Sequence, residues 1–317
     1  MFSRSRRHHL SIHSNPIQSF LGATFVIIRF GWLLYLAAAG KKAGRTAADG
    51  LVGVKVSDCG RYAAVIEINS ETDFVSRNDQ FQELVSAAAA EVLKTPIAEC
   101  SSPAPGSAAE VPMAALEAMK MSGGGTLSEA VTATAATVRE NIRLRRAYVM
   151  AATGAGEAIG HYLHGLISPG LGRQAGLVKV SIPEGGDAAA AAAAANKVAM
   201  HAVAVMPRFL NPDCVPTEVT KAEMDILKAQ TENSGKPANI VEKIVNGRMA
   251  KFHEEICLLN QKFVMDDSLT VGKWVKGEAG GGLEVKEFVR VKVGEGIEVE
   301  EKDFAAEVAA TVADSSA

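Results

Sequence analysis

The chain has 317 residues, 48% of them hydrophobic and 22% charged, which excludes a disordered polypeptide and allows about two domains of ordinary size. Its net charge of −3 is unevenly split: residues 1–48 hold seven Lys/Arg and no acid, so the other 269 residues carry −10. A body that acidic is a poor direct ligand for nucleic acid, which relies on clustered positive charge, and the widely spaced Cys59, Cys100, Cys214 and Cys257 argue against a disulfide framework or a zinc knuckle and for a reducing compartment.

Residues 1–18 are rich in Arg, Ser and His and lack acids, the composition of an organellar transit peptide. Residues 20–39 then run almost wholly apolar, with Arg29 in their middle. Its insertion cost of roughly 2.5–3.5 kcal/mol is comparable to the gain from the neighbouring Leu, Ile, Val and Phe at about 0.3–0.6 kcal/mol each, so a membrane span is marginal. A mitochondrial or plastid presequence, a membrane anchor and a misassigned start all remain open, with the presequence preferred. We expect residues 1–37 to be this targeting segment and residues 38–53 a helical linker.

The aromatic content of 5%, with long alanine stretches, favours helix packing over a β-sandwich. An apolar strand-like run at 63–68 precedes a helix over 79–94 that places Phe81, Leu84, Val85, Ala88 and Val92 on one face. A Pro/Ser/Ala loop follows at 100–109, then a short helix near 113–121 and a longer one at 127–140. Strand-like segments at 143–151, 159–166 and 177–182 suggest an antiparallel meander. A helix over 188–205 starts after Asp187 as cap, and its first eight residues, all Ala, read as filler on a packed helix. Two further helices, 217–233 and one ending at 256, are joined by Ser234-Gly235-Lys236-Pro237, with Gly past one helix end and Pro at the next start. The second carries an apolar stripe of Ile240, Ile244, Val245, Met249, Phe252 and Ile256, the pattern of an antiparallel hairpin.

Nine residues at 60–68 are echoed at 172–180, 112 positions later, each a strand-like run followed by a helix. The expected class is therefore α+β: two related subdomains of small antiparallel sheet plus helices, with an inserted antiparallel helical hairpin. The expected boundaries are 54–152 for the first core subdomain, 153–216 with 257–300 for the second, 217–256 for the hairpin, and 301–317 for a C-terminal helix and tail.

Two signals point elsewhere. Thr153-Gly154-Ala155-Gly156-Glu157-Ala158-Ile159-Gly160 after an apolar run has the look of a dinucleotide-binding turn, and it supports an alternative reading as an NAD(P)-dependent oxidoreductase. Against it, no long αβ succession surrounds the turn. No tyrosine has Lys four residues on; those positions hold Ala39, Ile66, Ala152 and Leu166. His161 and His164 are three apart, but no acidic or cysteine cluster completes a metal site, and on a strand they point to opposite faces. His201 reads as a helix-surface or packing residue.

The eleven residues Ile68-Asn69-Ser70-Glu71-Thr72-Asp73-Phe74-Val75-Ser76-Arg77-Asn78 stand where a strand hands over to a helix. Taken alone, Phe74 would be a core residue or a hydrophobic staple at the helix start. The run closely resembles the signature of the translation elongation factor Ts family. Ser234-Gly235-Lys236-Pro237 and Val245-Asn246-Gly247-Arg248-Met249-Ala250-Lys251-Phe252 resemble that family's coiled-coil insertion. Gln261-Lys262-Phe263-Val264-Met265, Val293-Gly294-Glu295-Gly296-Ile297-Glu298 and Asp303-Phe304-Ala305-Ala306-Glu307-Val308-Ala309-Ala310 resemble its C-terminal part. The likeness spans residues 38–310 in order, and its first stretch looks like the link after the family's small N-terminal helical domain, to which residues 1–36 bear no likeness.

The resemblance implies a guanine nucleotide exchange factor of organellar translation that binds the GTPase elongation factor Tu and promotes GDP release. It implies no covalent chemistry, enzyme activity, cofactor or metal. In the family the Asp-Phe pair is pushed into the GTPase, which assigns Asp73 and Phe74 as the wedge, held by Thr72 as a local cap and by Val75 through apolar contact. His164-Gly165 matches a Tyr-x-His-Gly segment at the partner interface, so His164 joins the partner-binding residues. The expected location is mitochondrial, with plastid as the alternative. No direct nucleic-acid contact is expected, and membrane association is not favoured.

Overall fold

The computed structural model describes residues 45–102, 104–154, 156–232 and 238–298. The expected targeting segment 1–37, the hairpin turn 234–237 and the C-terminal helix and tail 301–317 lie outside these residues. Within them the fold is α+β. The first half runs β1 (Asp49–Val56), β2 (Tyr62–Ser70), α1 (Asp79–Val92), β3 (Ala109–Glu110), α2 (Met113–Ala118), α3 (Leu127–Val138) and β4 (Arg143–Ala151). The second runs β5 (Glu157–His164), β6 (Leu171–Gly172), β7 (Gln174–Ser181) and α4 (Ala188–Val205), then the hairpin helices α5 (Thr217–Glu232) and α6 (Ala238–Ile256). A small β8 (Lys262–Phe263) and β9 (Asp266–Thr270) pair, α7 (Val271–Gly277) and β10 (Glu284–Lys292) complete it.

The internal echo is a duplication of wiring. One antiparallel sheet has the order β3-β4-β2-β1-β6 and the other β10-β7-β5, so β2 and β7, the echoed segments, are both central strands followed by a helix. Even the register repeats. Gly53 of β1 pairs with Ile66 of β2, and Gly160 of β5 pairs with Val178, the echo of Ile66.

Two expectations are corrected. Residues 49–53, assigned to a helical linker, form the first half of β1, where Val52 and Val54 favour a strand and every residue finds a partner on β2. β4 does not join β5 and β7 in a meander; it pairs along β2 in the first sheet, from Tyr62↔Ala151 to Asn69↔Arg143. β6 crosses from the second half to the edge of the first sheet beside β1.

The halves also share a core. Val52, Val54, Ala63, Val65 and Met150 of the first sheet pack face to face against Ile159, Ala175, Leu177, Val289 and Val291 of the second. The opposite face of the first sheet packs on α1, α2 and α3 through Leu51, Ala64, Ile66, Ile68, Phe81, Val85, Leu116 and Leu127. The opposite face of the second packs on α4 and α7 through Val178, Val180, Val198, Val271 and Phe288. The result is helix, sheet, sheet, helix. The expectation of helix packing in place of a β-sandwich is thus overturned at the centre, where aliphatic side chains, with half-buried Tyr148 beside them, let two sheets close. Burial on both faces also explains why β2 reads as a continuous apolar run and not as an alternating one.

The alanine run of α4 has a specific use. A Cβ on Gly160 would stand 2.2 Å from the carbonyl carbon of Ala195, and one on Gly176 would stand 2.7 Å from the Ala199 oxygen. In the first half, a Cβ on Gly53 would stand 2.9 Å from Val85 and 3.3 Å from Ala89. Each helix lies close to its sheet over a glycine strand position, and in α4 the contact is made by Ala195, Asn196, Ala199 and Val203. Although α4 is long and apolar enough to cross a membrane by composition, Ala191, Ala195, Val198, Ala199 and Ala202 are buried in the second core. Gly160 is therefore a packing residue, not a phosphate-loop glycine. Strand β5 and no helix follows the turn, so the helix N-terminus that a pyrophosphate needs is missing there, and the oxidoreductase reading falls.

Capping follows the side chains. The Asp187 carboxylate accepts from the Ala189 and Ala190 N–H groups, and the Asn78 side chain accepts from Phe81 N–H at 3.2 Å. Thr126 and Glu129 close a capping box on α3. His201 is fully buried, not on the helix surface. Its Nδ1 accepts from Val264 N–H at 3.2 Å, which fixes the neutral tautomer that donates from Nε2 to Gln261 Oε1 at 3.0 Å. Burial pushes its pKa below the ordinary 6.5, against a smaller opposing effect of the Gln261 bond.

Two outcomes are expected. Gly160→Ala should destabilise the fold by about 1–3 kcal/mol through overpacking, read as a lower urea midpoint with an unchanged slope. The unfolded chain takes up the His201 proton near pH 6.5 while the folded chain resists it, so stability should be complete above pH 6.5 and fall as pH drops through the lowered folded pKa. His161, exposed but partly desolvated by its surroundings, is also lowered and adds a smaller effect in the same direction. The lowered carboxyls of Glu91 and Glu284 act only below about 4.5. Urea titrations between pH 7.5 and 5.5 check this, and His201→Asn should flatten the slope.

Candidate partner-binding site

At the end of β2 the chain leaves the first sheet and turns back into α1, and the turn is held at both ends. On the incoming side Ser70 Oγ donates to the Thr72 carbonyl at 2.9 Å. Thr72 donates from both its N–H and its hydroxyl to the Glu140 carboxylate, at 3.0 and 2.6 Å. Glu71 accepts from Asn141 N–H at 2.6 Å and pairs with Arg45 at 3.3 Å. On the outgoing side Val75–Arg77 make a single 3-10 turn, in which Ser76, Arg77 and Asn78 N–H groups donate back to Asp73, Phe74 and Val75 carbonyls. Val75 is buried in the first core, and Ser76 Oγ donates to the Gly50 carbonyl at 3.1 Å. Gly50 has φ +129°, and a Cβ there would stand 2.2 Å from the Ile68 oxygen, so only glycine permits this anchor.

Between the anchors, Asp73 and Phe74 project. Phe74 is 78% exposed, the most exposed large hydrophobic side chain among the described residues. A staple or core role is therefore excluded. Leaving a phenylalanine in water forgoes about 1.5–3 kcal/mol of burial. Thr72 does not cap a helix as expected; Asn78 caps α1, and Thr72 is instead the donor pair for Glu140. Thr72, Asp73, Phe74 and Val75 thus lie in one turn whose two outer members are tied down and whose two middle members face solvent.

His164 lies elsewhere, at the end of β5 on the edge of the second sheet, exposed and stacked on Tyr162 with centroids 6.3 Å apart. The two rings line a cavity of about 470 Å³ with Met200, Met206, Val264 and Lys292. Val264 and Met265, placed by the sequence in a family motif but not among the partner-binding residues, are 52% and 57% exposed in the two-residue loop joining β8 and β9. Two large apolar residues in a tight turn, where polar residues are usual, were the available signal. Buried His201 holds the Val264 backbone from beneath. His161 is exposed on the opposite face of β5 from His164, and among the described residues no cluster of three His, Cys, Asp or Glu could hold a metal.

The hairpin packs α5 on α6 through Leu227, Val245 and Met249 with Met224, Val241 and Phe252, and Val215, Ile256 and Cys257 close its base. Val241 takes the place expected of Ile240, which is exposed, because Val241 is the residue one turn before Val245. All four cysteines are free thiols.

The sequence profile of the family described as Elongation factor TS matches residues 71–295, from the clasped turn to the end of the second sheet. A protein named "Elongation factor Ts, mitochondrial" from Ostreococcus tauri is 51% identical over 284 residues, spanning 87% of this chain and 80% of that protein. "Elongation factor Ts" of Brucella ovis is 44% identical over 278 residues, spanning 87% of this chain and 84% of its own length. The exposed acid–phenylalanine turn, the inserted hairpin and the whole second sheet lie within the profile match, two relatives above 40% identity span 87% of the chain, and the chain belongs to the elongation factor Ts family.

Proposed function

We propose that this chain is the guanine nucleotide exchange factor of mitochondrial translation, binding elongation factor Tu in its GDP form and promoting release of GDP. The observation that carries the reading is Phe74, 78% exposed on a turn braced on both sides. An unsupported exposed phenylalanine would be a liability; one held out by two sets of buried or charged hydrogen bonds is prepared to be buried by something else.

The mechanism requires no covalent step. A GTPase of this kind holds GDP through a phosphate loop and a Mg²⁺ ion, which supplies much of the local positive charge. An exchange factor has to bind the nucleotide-free state better than the GDP-bound state, because equal affinity shifts nothing. Phe74 supplies the difference by wedging between elements of the GTPase near the phosphates. Its burial there recovers the free energy forgone in the free factor. Asp73, exposed beside it, competes with the diphosphate for polar partners and disturbs the water shell of the ion. The surface around His164, with Tyr162, Met206 and Val264, and the hairpin supply contact away from the nucleotide, giving affinity while the turn supplies the differential.

The mitochondrial placement draws on the acid-free, arginine-bearing residues 1–18 and on the name of the Ostreococcus tauri relative. A fluorescent fusion of the full chain is expected to co-localise with a mitochondrial marker, and plastid fluorescence would reverse this part of the proposal.

The main test is release of a fluorescent GDP analogue from organellar elongation factor Tu. The full chain should accelerate release. Phe74→Ala should retain the complex on a column but slow release about tenfold, equivalent to about 1.4 kcal/mol of lost differential binding. Reversal of the exposed hairpin charges Lys228 and Lys243 should do the opposite, weakening the complex with little effect on the maximal rate. Normal exchange by Phe74→Ala would sink the wedge assignment.

A further inference from the structure

Glu140 lies in no part of the surface just described, yet it is bonded directly to the turn that carries Phe74. α3 ends at Arg139, which adopts a left-handed conformation at φ 62°, uncommon for a residue other than glycine. The next two residues face the projecting turn and exchange carboxylates with it. Glu140 accepts from Thr72 N–H and Oγ, while Glu71 accepts from Asn141 N–H. Asn141 is itself buried and donates from Nδ2 to the Arg45 carbonyl at 2.6 Å, and Arg45 pairs with Glu71. Three chain segments far apart in sequence therefore meet on the incoming side of the turn, where polar contacts hold the chain between Ile68 and Val75, the first-core residues on either side of it.

We infer that Glu140 is a positioning residue for nucleotide release: by clasping Thr72 it keeps Phe74 in the projecting orientation before the partner GTPase arrives. This rests on the exchange reading above and extends it to a residue that touches neither partner nor nucleotide. Without the clasp, the incoming limb keeps only the Glu71 contacts and the Ser70 hydroxyl bond to the Thr72 carbonyl, and the exposed ring samples orientations in which it lies on the factor's own surface. Only the fraction of molecules with the ring projecting is competent, and the apparent rate falls by that fraction. The second contact surface is untouched, so affinity is set as before.

Chemistry distinguishes orientation from mere bulk. The Thr72 hydroxyl can donate or accept. In Glu140→Gln the amide oxygen accepts from Thr72 N–H while the amide nitrogen donates to Thr72 Oγ, so both links survive with one reversed. In Glu140→Ala both are lost.

The experiment is fluorescent GDP release from the partner GTPase, titrated with the full chain to obtain a maximal rate and a half-saturating concentration, together with a melting temperature. It compares wild type, Phe74→Ala, Glu140→Ala and Glu140→Gln. We expect Glu140→Ala to lower the maximal rate about tenfold, as two hydrogen bonds to a charged group are lost, with the half-saturating concentration unchanged within about twofold. Glu140→Gln should return the rate to within about threefold of wild type. A wild-type rate in Glu140→Ala alongside a slow Phe74→Ala would overturn the positioning role and leave the wedge intact. A parallel loss of rate, affinity and melting temperature that Gln does not restore would overturn it as well, by making Glu140 merely structural. A wild-type rate in Phe74→Ala would remove the underlying exchange reading, and with it this one.

Discussion

The carboxylate of Glu67 is fully buried where the two sheets meet, and much of the arrangement around it follows from the need to satisfy it. It accepts from Arg146 Nε at 2.7 Å, from Asn69 Nδ2 at 3.0 Å and from Gly294 N–H at 2.8 Å. Those partners come from β4, from β2 itself and from the chain just beyond β10, so one ion joins both halves. Arg146 reaches onward to the Lys292 carbonyl and to Glu295. Removing one member of such a buried pair typically costs about 3–5 kcal/mol, because the remaining charge is stranded. Gly294 approaches so closely that a Cβ would stand 2.0 Å from the Ala48 oxygen. The first ladder shifts register between Glu67 and Ile68, beside the strand end from which the projecting turn departs.

The duplication shows which parts of the molecule are scaffold and which are use. Lys179 occupies in β7 the place of Glu67 in β2, and it pairs with Glu287 of β10 at 2.6 Å as Glu67 pairs with Arg146 of β4, with the signs exchanged. A glycine on the strand paired with the central one, set closely against the following helix, recurs in both halves. The strand-to-helix connections differ. The first carries Glu71 to Asn78, clasped and bearing an exposed phenylalanine; the second is Ile182 to Asp187, with two glycines and no aromatic. Two copies of one framework thus perform different tasks because specificity resides in the loop and the insertion, not in the sheet.

The parts legible in the sequence were those set by local chemistry. The apolar spacing of α1 placed Phe81, Leu84, Val85, Ala88 and Val92 inside, and all five are buried. Asp187 caps α4 because a short carboxylate before an alanine run has no competing use. The hairpin helices were likewise readable from periodicity, although Val241 and not Ile240 faces the partner helix, since adjacent residues differ by about 100° around the axis and the stripe alone does not settle which one is inside. The partner sheet of β4 was not legible: the alternation of its side chains says which of them face inward, not which strand lies beside it. Nor was β1 at residues 49–53, whose two glycines read as linker until Val85, Ala89 and the Ile68 carbonyl are seen to leave no room for a side chain.

By itself, the sequence determined most helices, the Asp187 cap, the repeated strand-and-helix pattern and the family motif around Phe74, because each is written in short runs of neighbouring residues. Only the tertiary structure decided that Phe74 faces water and that Thr72 serves Glu140, 68 residues away, and not the helix beside it. It also decided that two sheets meet where low aromatic content pointed to helices, and that buried His201 supports the exposed Val264. Burial and hydrogen-bond partnership depend on which distant segments arrive at the same point, and no local pattern of residues carries that information.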